Sequence, residues 1–209
     1  MKKLITIVIA LVAVINAAAY DKMGQLFAEE NGDLFSSLTL AAKYQLLNEY
    51  ERADTTEVLN NLRTGETRIL HLSPNHMLIK TSAGKTVEMK LLAKSKKDTI
   101  IAVIETVATP VKDSRVSFFS TGWKRLDSSK FFTPPTAADF ILPRAPKQVR
   151  QELLDCISFA MIEMKFQGET LVATCNLSDF FMAGDFKSYS PWVTKQLVYN
   201  IDKAKIKKP

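Results

Sequence analysis

Two histidines are the residues whose type and spacing first suggest metal chemistry. His71 and His76 are the only histidines among the 209 residues, and the turn Ser73-Pro74-Asn75 lies between them. This turn would let both imidazoles project from neighbouring strand ends. A closed zinc site needs a third and a fourth ligand, and the sequence has no C-x-x-C or H-E-x-x-H spacing. We therefore predict no metal site and no cofactor.

Motifs for nucleophilic or acid–base catalysis are also missing. No G-x-S-x-G elbow places a serine beside a base, and the seven glycines form no phosphate-binding loop. Asp and Glu residues are scattered, and local sequence marks no pair as a glycosidase acid and nucleophile. Such pairs can be far apart in sequence, so this absence is weak evidence. We predict no catalytic residue and favour a protein that is not an enzyme.

Two cysteines, Cys156 and Cys175, would invite a disulfide in an oxidising compartment. Gln167-Gly168 predicts a two-residue hairpin loop between strands Cys156–Phe166 and Glu169–Leu177. The predicted register pairs Met164 with Leu171, Ile162 with Ala173, and Ala160 with Cys175. Cys156 is then about 13 Å along the strand from the partner of Cys175, which is beyond the reach of a disulfide. We favour two buried free thiols, although a bulge or a different loop would permit the pair.

Aromatic side chains in predicted loops are the candidate ligand-binding residues. They are Trp123, Phe131, Phe132, Phe180, Phe181, Tyr189 and Trp192. Loops run over the protein surface, so these rings could line an apolar groove for a peptide, a glycan or a lipid. Alternatively, they seal the open face or end of a small sheet. The sequence leaves both readings open.

The elements that must position these residues begin with one helix. Asp33 is a predicted N-cap, and Leu34, Leu38, Ala42 and Leu46 recur at four-residue steps after it. From Thr56 the apolar period changes from that of a helix to that of a strand. The predicted strands are Val58–Leu62, Thr67–Leu72, His76–Thr81, Thr86–Leu92, Ile100–Val107 and Ser114–Ser120. Tight turns join them, which predicts an antiparallel meander.

The central part of the meander is Thr86–Ser120, whose middle strand, Ile100–Val107, is apolar on both faces. On the strand before it, Glu88 and Lys90 are predicted to point to solvent. Four prolines, Pro134, Pro135, Pro143 and Pro146, exclude a long helix between Trp123 and Pro146. Further predictions are a short helix, Lys147–Leu154, and an edge strand, Gln196–Ile201.

The N-terminal residues predict export. Lys2 and Lys3 precede an apolar run, Leu4–Ile15, and Ala17-Ala18-Ala19 follows with the small residues that signal peptidase reads. The run is too short to span a bilayer comfortably. We predict a signal peptide at residues 1–19 and a single domain at 20–209 in the periplasm or outside the cell. No cysteine follows the run, so a lipid anchor is not expected.

Charge gives little information about partners. The formal net charge of +6 at pH 7 becomes +4 once Lys2 and Lys3 are removed. Much of this excess lies in a predicted basic tail, residues 203–209, which favours a solvated terminus or a weak contact with an anionic surface. We predict no nucleic-acid partner, because that would require a basic stripe on the folded body.

The chain resembles a family of uncharacterised exported proteins, a domain of unknown function restricted to Bacteroidales. The resemblance is based on the following residues: Met89–Leu92 (MKLL), Ile100–Val107, Asp113-Ser114, Phe118-Phe119-Ser120 before Trp123 and Leu126, Asp139-Phe140, and Leu197-Val198-Tyr199. Members commonly carry a cysteine and a glycine near Ala108-Thr109-Pro110. This chain has alanine and threonine there, so no role of that cysteine is carried over. The resemblance implies export and a bacterial origin and supplies no catalytic residues.

These observations predict an α+β fold, in which an N-terminal helix packs on a mainly antiparallel meander sheet that a C-terminal hairpin extends. We predict an exported, non-enzymatic accessory or binding protein of the cell envelope, with an envelope protein or a glycan as its partner. One alternative is a hydrolase of cell-wall or dietary glycans, which would show two carboxylates across a cleft. Another is a carrier of a lipid or other apolar ligand, which would show a dry internal cavity. The oligomeric state stays open.

Overall fold

A computed structural model describes residues 22–53, 59–60, 65–95, 98–108, 111–156, 161–180 and 183–208. These residues belong to two compact units, Met1–Ala83 and Gly84–Pro209. Helices at the N terminus and antiparallel strand pairs confirm the predicted α+β class. The predicted signal peptide lies outside the described residues.

The N-terminal unit begins with two helices, α1 (Lys22–Glu29) and α2 (Leu40–Ala53). The predicted helix start at Asp33 was wrong, because Thr39 caps α2 by accepting a hydrogen bond from the Ala42 N–H at 3.2 Å. Helix α1 was not predicted. Its buried residues Met23, Leu26 and Phe27 have the i, i+3, i+4 spacing of an amphipathic helix.

The strands of the N-terminal unit are β1 (Leu59–Asn60), β2 (Glu66–Ser73) and β3 (His76–Ser82), paired antiparallel in chain order. Both helices contact β2. The β2–β3 register shifts between Ile69, which lies opposite Ile79, and His71, which lies opposite Leu78. The shift is a β-bulge, since two residues of β2 advance against one of β3.

The C-terminal unit contains the predicted central strand. Strand β5 (Thr99–Ala108) pairs with β4 (Lys85–Ala93) on one side and with β6 (Lys112–Ser120) on the other. The side chains of Ile100 to Ile104 are all at most 2% exposed. This burial confirms that the middle strand is covered on both faces from Ile100 to Ile104, whereas Val107 near its end is 46% exposed.

Four more strands form a second sheet, in which the predicted C-terminal hairpin lies. They are β7 (Ile162–Gln167), β8 (Thr170–Cys175), β9 (Gln196–Asp202) and β10 (Lys205–Lys207), in the spatial order β10-β9-β8-β7. The register predicted for β7 and β8 was wrong by two residues: Phe166 lies opposite Leu171, Met164 opposite Ala173, and Ile162 opposite Cys175. The turn is Gly168-Glu169, because Gly168 adopts the positive φ of 53° there.

The last residues of the chain fold instead of forming a solvated tail. Strand β10 pairs with β9, and Ala204 and Ile206 are buried. Lys207 forms an ion pair with Asp202 at 2.9 Å. The predicted tail was wrong because the prediction rested on the lysines alone, whereas Ala204 and Ile206 between them are apolar and buried.

Helices and short 3-10 segments complete the C-terminal unit. The predicted short helix is confirmed as α3 (Lys147–Cys156), and α4 (Ala183–Tyr189) lies where a loop was predicted. The 3-10 helices are Ser128–Lys130, Ala137–Phe140, Leu177–Phe180 and Ser190–Trp192. Two of these fall in the proline-bearing segment, which contains no long helix, as predicted. Cys175 is buried on β8, and the side chain of Cys156 lies outside the described part, so their pairing stays a prediction.

The solvent-facing prediction for Glu88 and Lys90 was wrong, since they are only 7% and 5% exposed. They lie on the face of β4 that turns towards the second sheet. The Glu88 carboxylate accepts a hydrogen bond from the Phe166 N–H at 3.1 Å. Lys90 donates to the Gly168 carbonyl and to the Glu169 carboxylate, the latter at 3.0 Å.

The outer edge of β7 is covered by side chains of β4 and β6. The Ile162 N–H donates to Asp113 Oδ1 at 3.2 Å, and the Met164 N–H donates to Ser114 Oγ at 2.8 Å. The Phe166 N–H, which points the same way, donates to Glu88. An uncovered edge strand would present a row of unpaired N–H groups to other chains. The side chains of β4 and β6 therefore close this edge.

Candidate functional site

A cleft in the N-terminal unit is a candidate binding site. It lies where α1 ends and α2 begins and has a volume of about 440 Å³. We call this site the N-terminal cleft. Its lining residues are Ala28, Glu29, Glu30, Asn31, Leu38, Leu40, Lys43 and Tyr44. This volume falls within the range of small-molecule sites, roughly 300–1,000 Å³.

A buried ion pair forms the polar end of the N-terminal cleft. Lys43 and Glu30 have side chains 4% and 3% exposed, and Lys43 Nζ lies 3.4 Å from Glu30 Oε2. The same ammonium donates to the Glu30 backbone carbonyl, just beyond the end of α1. Glu30 Oε1 accepts a hydrogen bond from the Gly32 N–H at 2.8 Å. The pair therefore fixes the connection between the two helices.

Two aromatic rings surround the ammonium group of Lys43. Its Nζ atom lies 5.6 Å from the centroid of Phe27 and 5.5 Å from that of Phe35, within the distance of a cation–π contact. The rings are 4.9 Å apart in an edge-to-face arrangement. Burial lowers the pKa of Lys43 from its usual 10.5, and the Glu30 carboxylate offsets only part of that effect.

The rest of the cleft combines negative potential with an apolar wall. Lys43 neutralises one carboxylate, which leaves the Glu29 carboxylate and the carbonyls at the C-terminal end of α1. The C-terminal end of a helix, where the last backbone carbonyls lie, has a partial negative charge and favours cations. Leu40, which is 58% exposed, and Leu38 supply apolar surface beside it. The arrangement suits a ligand with an ammonium group next to an apolar group.

Several of the predicted aromatic residues pack onto the core of the C-terminal unit. Phe132 is 3% exposed and meets the ring of Tyr199 edge to face at 5.3 Å. Phe131 is half-buried, with its ring 5.0 Å from that of Phe118. Trp123 is also half-buried, lies 5.6 Å from the ring of Phe119, and has a positive φ of 58°.

The remaining predicted aromatics lie around α4. Tyr189 and Trp192 are half-buried against the core of this unit, and the Tyr189 hydroxyl donates to Glu152 at 3.2 Å. Phe180 ends a 3-10 helix, but its side chain and the whole of Phe181 lie outside the described residues. Four of the five described aromatic side chains thus pack against the core of this unit, whereas Trp123 packs against Phe119, and the candidate binding set stays a prediction.

A second, smaller pocket lies in the C-terminal unit and has a volume of about 330 Å³. Its lining residues are Thr133, Pro134, Pro135, Asp139, Tyr199, Ile206, Lys207 and Lys208. Hydrogen bonding to Lys208 lowers the pKa of Asp139, and burial raises the pKa of Tyr199 to about 12. Asp139 is therefore a charged structural partner of the C-terminal residues.

The described part of the chain offers no cluster of three or more His, Cys, Asp or Glu side chains that could hold a metal ion. Among the helices between residues 22 and 208 that the structure describes, none is long and apolar enough to cross a membrane.

The N-terminal cleft was not predicted from the sequence. A signal for it exists, because Lys43 has i, i+3, i+4 spacing with Leu46 and Leu47, both fully buried. A lysine on the buried face of a helix requires a partner. Identifying Glu30 as that partner requires knowing that residues 22–29 form a second helix, which was not predicted.

Comparison with protein families places the chain in a family without a known function. The family model described as protein of unknown function (DUF3256) matches residues 15–206, and the chain belongs to this family. No curated protein matches.

The fold is also found among solved structures, as the following example shows. This example is the structure of a domain of an uncharacterised protein from Porphyromonas gingivalis W83, a member of the Bacteroidales. The TM-score is 0.79 and the sequence identity 22%, over 91% of this chain and 100% of that chain. At this identity the similarity shows the fold alone.

Proposed function

We propose that this member of the family is an exported, non-enzymatic binding protein of the cell envelope, and that the N-terminal cleft holds its ligand. The observation that supports the proposal is the combination, in one cleft, of a buried ion pair, a second carboxylate and an exposed leucine. The ligand chemistry that fits is a primary ammonium group beside an apolar group. A small amine and the amino-terminal end of a partner polypeptide both provide it.

The two alternative functions fit the cleft less well. A glycan hydrolase needs two carboxylates on opposite sides of a cleft, whereas Glu29 and Glu30 are successive residues at the end of α1. A lipid carrier needs a dry apolar cavity, whereas this cleft contains an ion pair. Binding without chemistry requires neither feature.

A matched pair of probes tests the ligand class. 2-Phenylethylamine and 3-phenylpropionate have similar size but opposite charge, and calorimetry measures the affinity of each. We expect the amine to bind more tightly, because Glu29 and the end of α1 favour a cation. Tighter binding of the carboxylate, or no binding of either probe, would contradict the proposed ligand.

Two variants locate the binding. Leu40→Ser removes the exposed apolar wall and should weaken amine binding, while Leu70→Ser changes a leucine that is 41% exposed on β2, outside the residues that line the cleft, and should not. Glu29→Gln should weaken binding by about 0.3–1 kcal/mol, the usual effect of a charge at a helix end. Equal effects of Leu40→Ser and Leu70→Ser would place the ligand elsewhere.

Export is tested separately. The arrangement of Lys2, Lys3, Leu4–Ile15 and Ala17–Ala19 supports cleavage after Ala19. Mass spectrometry of the protein recovered from its native cell should find Tyr20 at the N terminus, outside the cytoplasm. A protein that retains residues 1–19 in the cytoplasm would overturn this part of the proposal and leave the cleft untouched.

A further inference from the structure

The bulge in β2 brings the two histidines of the chain to one face of the β2–β3 hairpin. Before the bulge, Ile69 lies opposite Ile79, and both are buried. Regular alternation would place His71 on that same buried face, two residues later. The extra residue at the bulge shifts the phase, so that His71 lies opposite Leu78 instead.

His76 is on the same face as His71. On β3, Met77 and Ile79 point inwards, and His76 and Leu78 alternate with them. His76 is therefore the diagonal cross-strand neighbour of His71, a position within reach of long or aromatic side chains. His71 is exposed and His76 half-buried, so solvent reaches the pair.

The separation of the two imidazoles matches that of two ligands on one metal ion. Their ring centroids are 5.0 Å apart, with a tilt of 47° between the ring planes. With metal–nitrogen bonds of about 2.0–2.1 Å, each centroid would lie roughly 3.2 Å from the ion, and a bond angle near 100° would place the centroids about 4.9 Å apart. The separation therefore allows both rings to bind one ion once a nitrogen of each ring turns towards it.

We propose that His71 and His76 form an open, two-ligand site for a divalent transition-metal ion. This proposal departs from the sequence-based prediction of no metal site, which rested on the four protein ligands that a closed zinc site needs. An open site needs only the two imidazoles, and water or a partner group completes the coordination. Imidazole ligands suit Cu²⁺, Ni²⁺ and Zn²⁺, and Cu²⁺ binds most tightly in this series. Bulges occur preferentially beside functional sites, where they re-aim a side chain.

Copper titration of the full chain without a polyhistidine tag tests the site. We expect one Cu²⁺ per chain, with nitrogen couplings in the electron paramagnetic resonance spectrum that report two imidazoles. His71→Ala and His76→Ala should each weaken binding at least tenfold, since loss of even an outer-shell partner costs about tenfold to a hundredfold. Unchanged affinity in either variant would overturn the proposal.

Relocating a histidine separates geometry from histidine number. In the His71→Ala background, Ser73→His places an imidazole directly opposite His76 and should restore binding. Arg68→His restores the number of histidines, but Arg68 pairs with Lys80, about 13 Å along β3 from His76, and should not restore it. Circular dichroism confirms that each variant folds. Equal rescue by both changes, or none by Ser73→His in a folded protein, would overturn the assignment.

Discussion

Two buried lysines, Lys43 and Lys90, differ in what their burial achieves. Their side chains are 4% and 7% exposed, and each donates to a backbone carbonyl and to a glutamate. The partner of Lys43, Glu30, is buried as well, whereas the partner of Lys90, Glu169, is 77% exposed. One lysine thus belongs to an ion pair in which both partners are buried, and the other anchors a turn at the surface.

The surroundings of the two lysines explain the difference. Lys90 lies under the β7–β8 turn, where Glu88 and the side chains of β6 close the edge of the second sheet. Lys43 lines an open cleft between two helices. A buried charge that closes a sheet edge needs no further role, whereas a buried ion pair at the end of an open cleft is where binding can occur.

Removing Lys43 should have the largest effect on stability. Lys43→Met leaves the Glu30 carboxylate buried and unpaired and should cost about 3–5 kcal/mol of the free energy of unfolding. The double variant Lys43→Met with Glu30→Leu removes both charges and should be close to the unchanged chain or more stable. Urea unfolding measures both. A mild effect of Lys43→Met alone would show that the pair is not truly desolvated.

Removing Lys90 should cost less. Lys90→Met deprives the Gly168 carbonyl of its donor and should cost about 1–3 kcal/mol. Glu169→Gln is the control, because an exposed ion pair contributes only about 0–1 kcal/mol. The same unfolding experiment measures both. If Glu169→Gln were as costly as Lys90→Met, the carboxylate and not the carbonyl would be the important partner.

Gly32 provides a smaller test of the cleft. A Cβ at this position would lie 2.9 Å from Glu30 Oε1, so Gly32→Ala should displace the carboxylate and cost about 1 kcal/mol. Gly122→Ala is the matched control, because its Cβ would lie 3.9 Å from Ser120 Oγ. Thermal unfolding compares the two. An equal loss in both variants would point to a backbone effect instead of the ion pair.

The smallest expected effect is a pH dependence. Burial in the folded protein is the main reason that the pKa of Lys43 lies below its usual 10.5. Between this lowered pKa and pH 10.5, the unfolded chain therefore binds more protons than the folded chain. The contribution of Lys43 to stability should therefore rise as pH increases towards 10.5 and fall as pH decreases through the lowered pKa. Unfolding over this range, relative to the double variant, isolates that contribution. A stability of the unchanged chain that falls relative to the double variant as pH rises would contradict the sign.

The meander could be predicted because its signals are local. The sequence of strand β5 is apolar on both faces, and the turns that flank it contain residues that are typical of turns. The same alternation gave a wrong prediction at Glu88 and Lys90, because a polar face predicts exposure to solvent and the second sheet covers that face. A local sequence pattern does not show which element packs against the face of a strand.

The cleft could not be predicted for the same reason, because the Lys43–Glu30 pair joins two helices. The sequence placed His71 and His76 at neighbouring strand ends, but it did not show the bulge that brings both to one face. The sequence also left two roles open for the loop aromatics, and Phe132, which is 3% exposed, lies in the core.

The most direct test of the proposed cleft uses both lysines at once. Nuclear magnetic resonance of the side-chain ammonium groups of Lys43 and Lys90 should be recorded while 2-phenylethylamine is added. We predict that the Lys43 signal shifts, because the amine binds beside it, and that the Lys90 signal stays in place. A Lys43 signal that does not move at saturating amine, or equal shifts of both signals, would contradict binding in the N-terminal cleft.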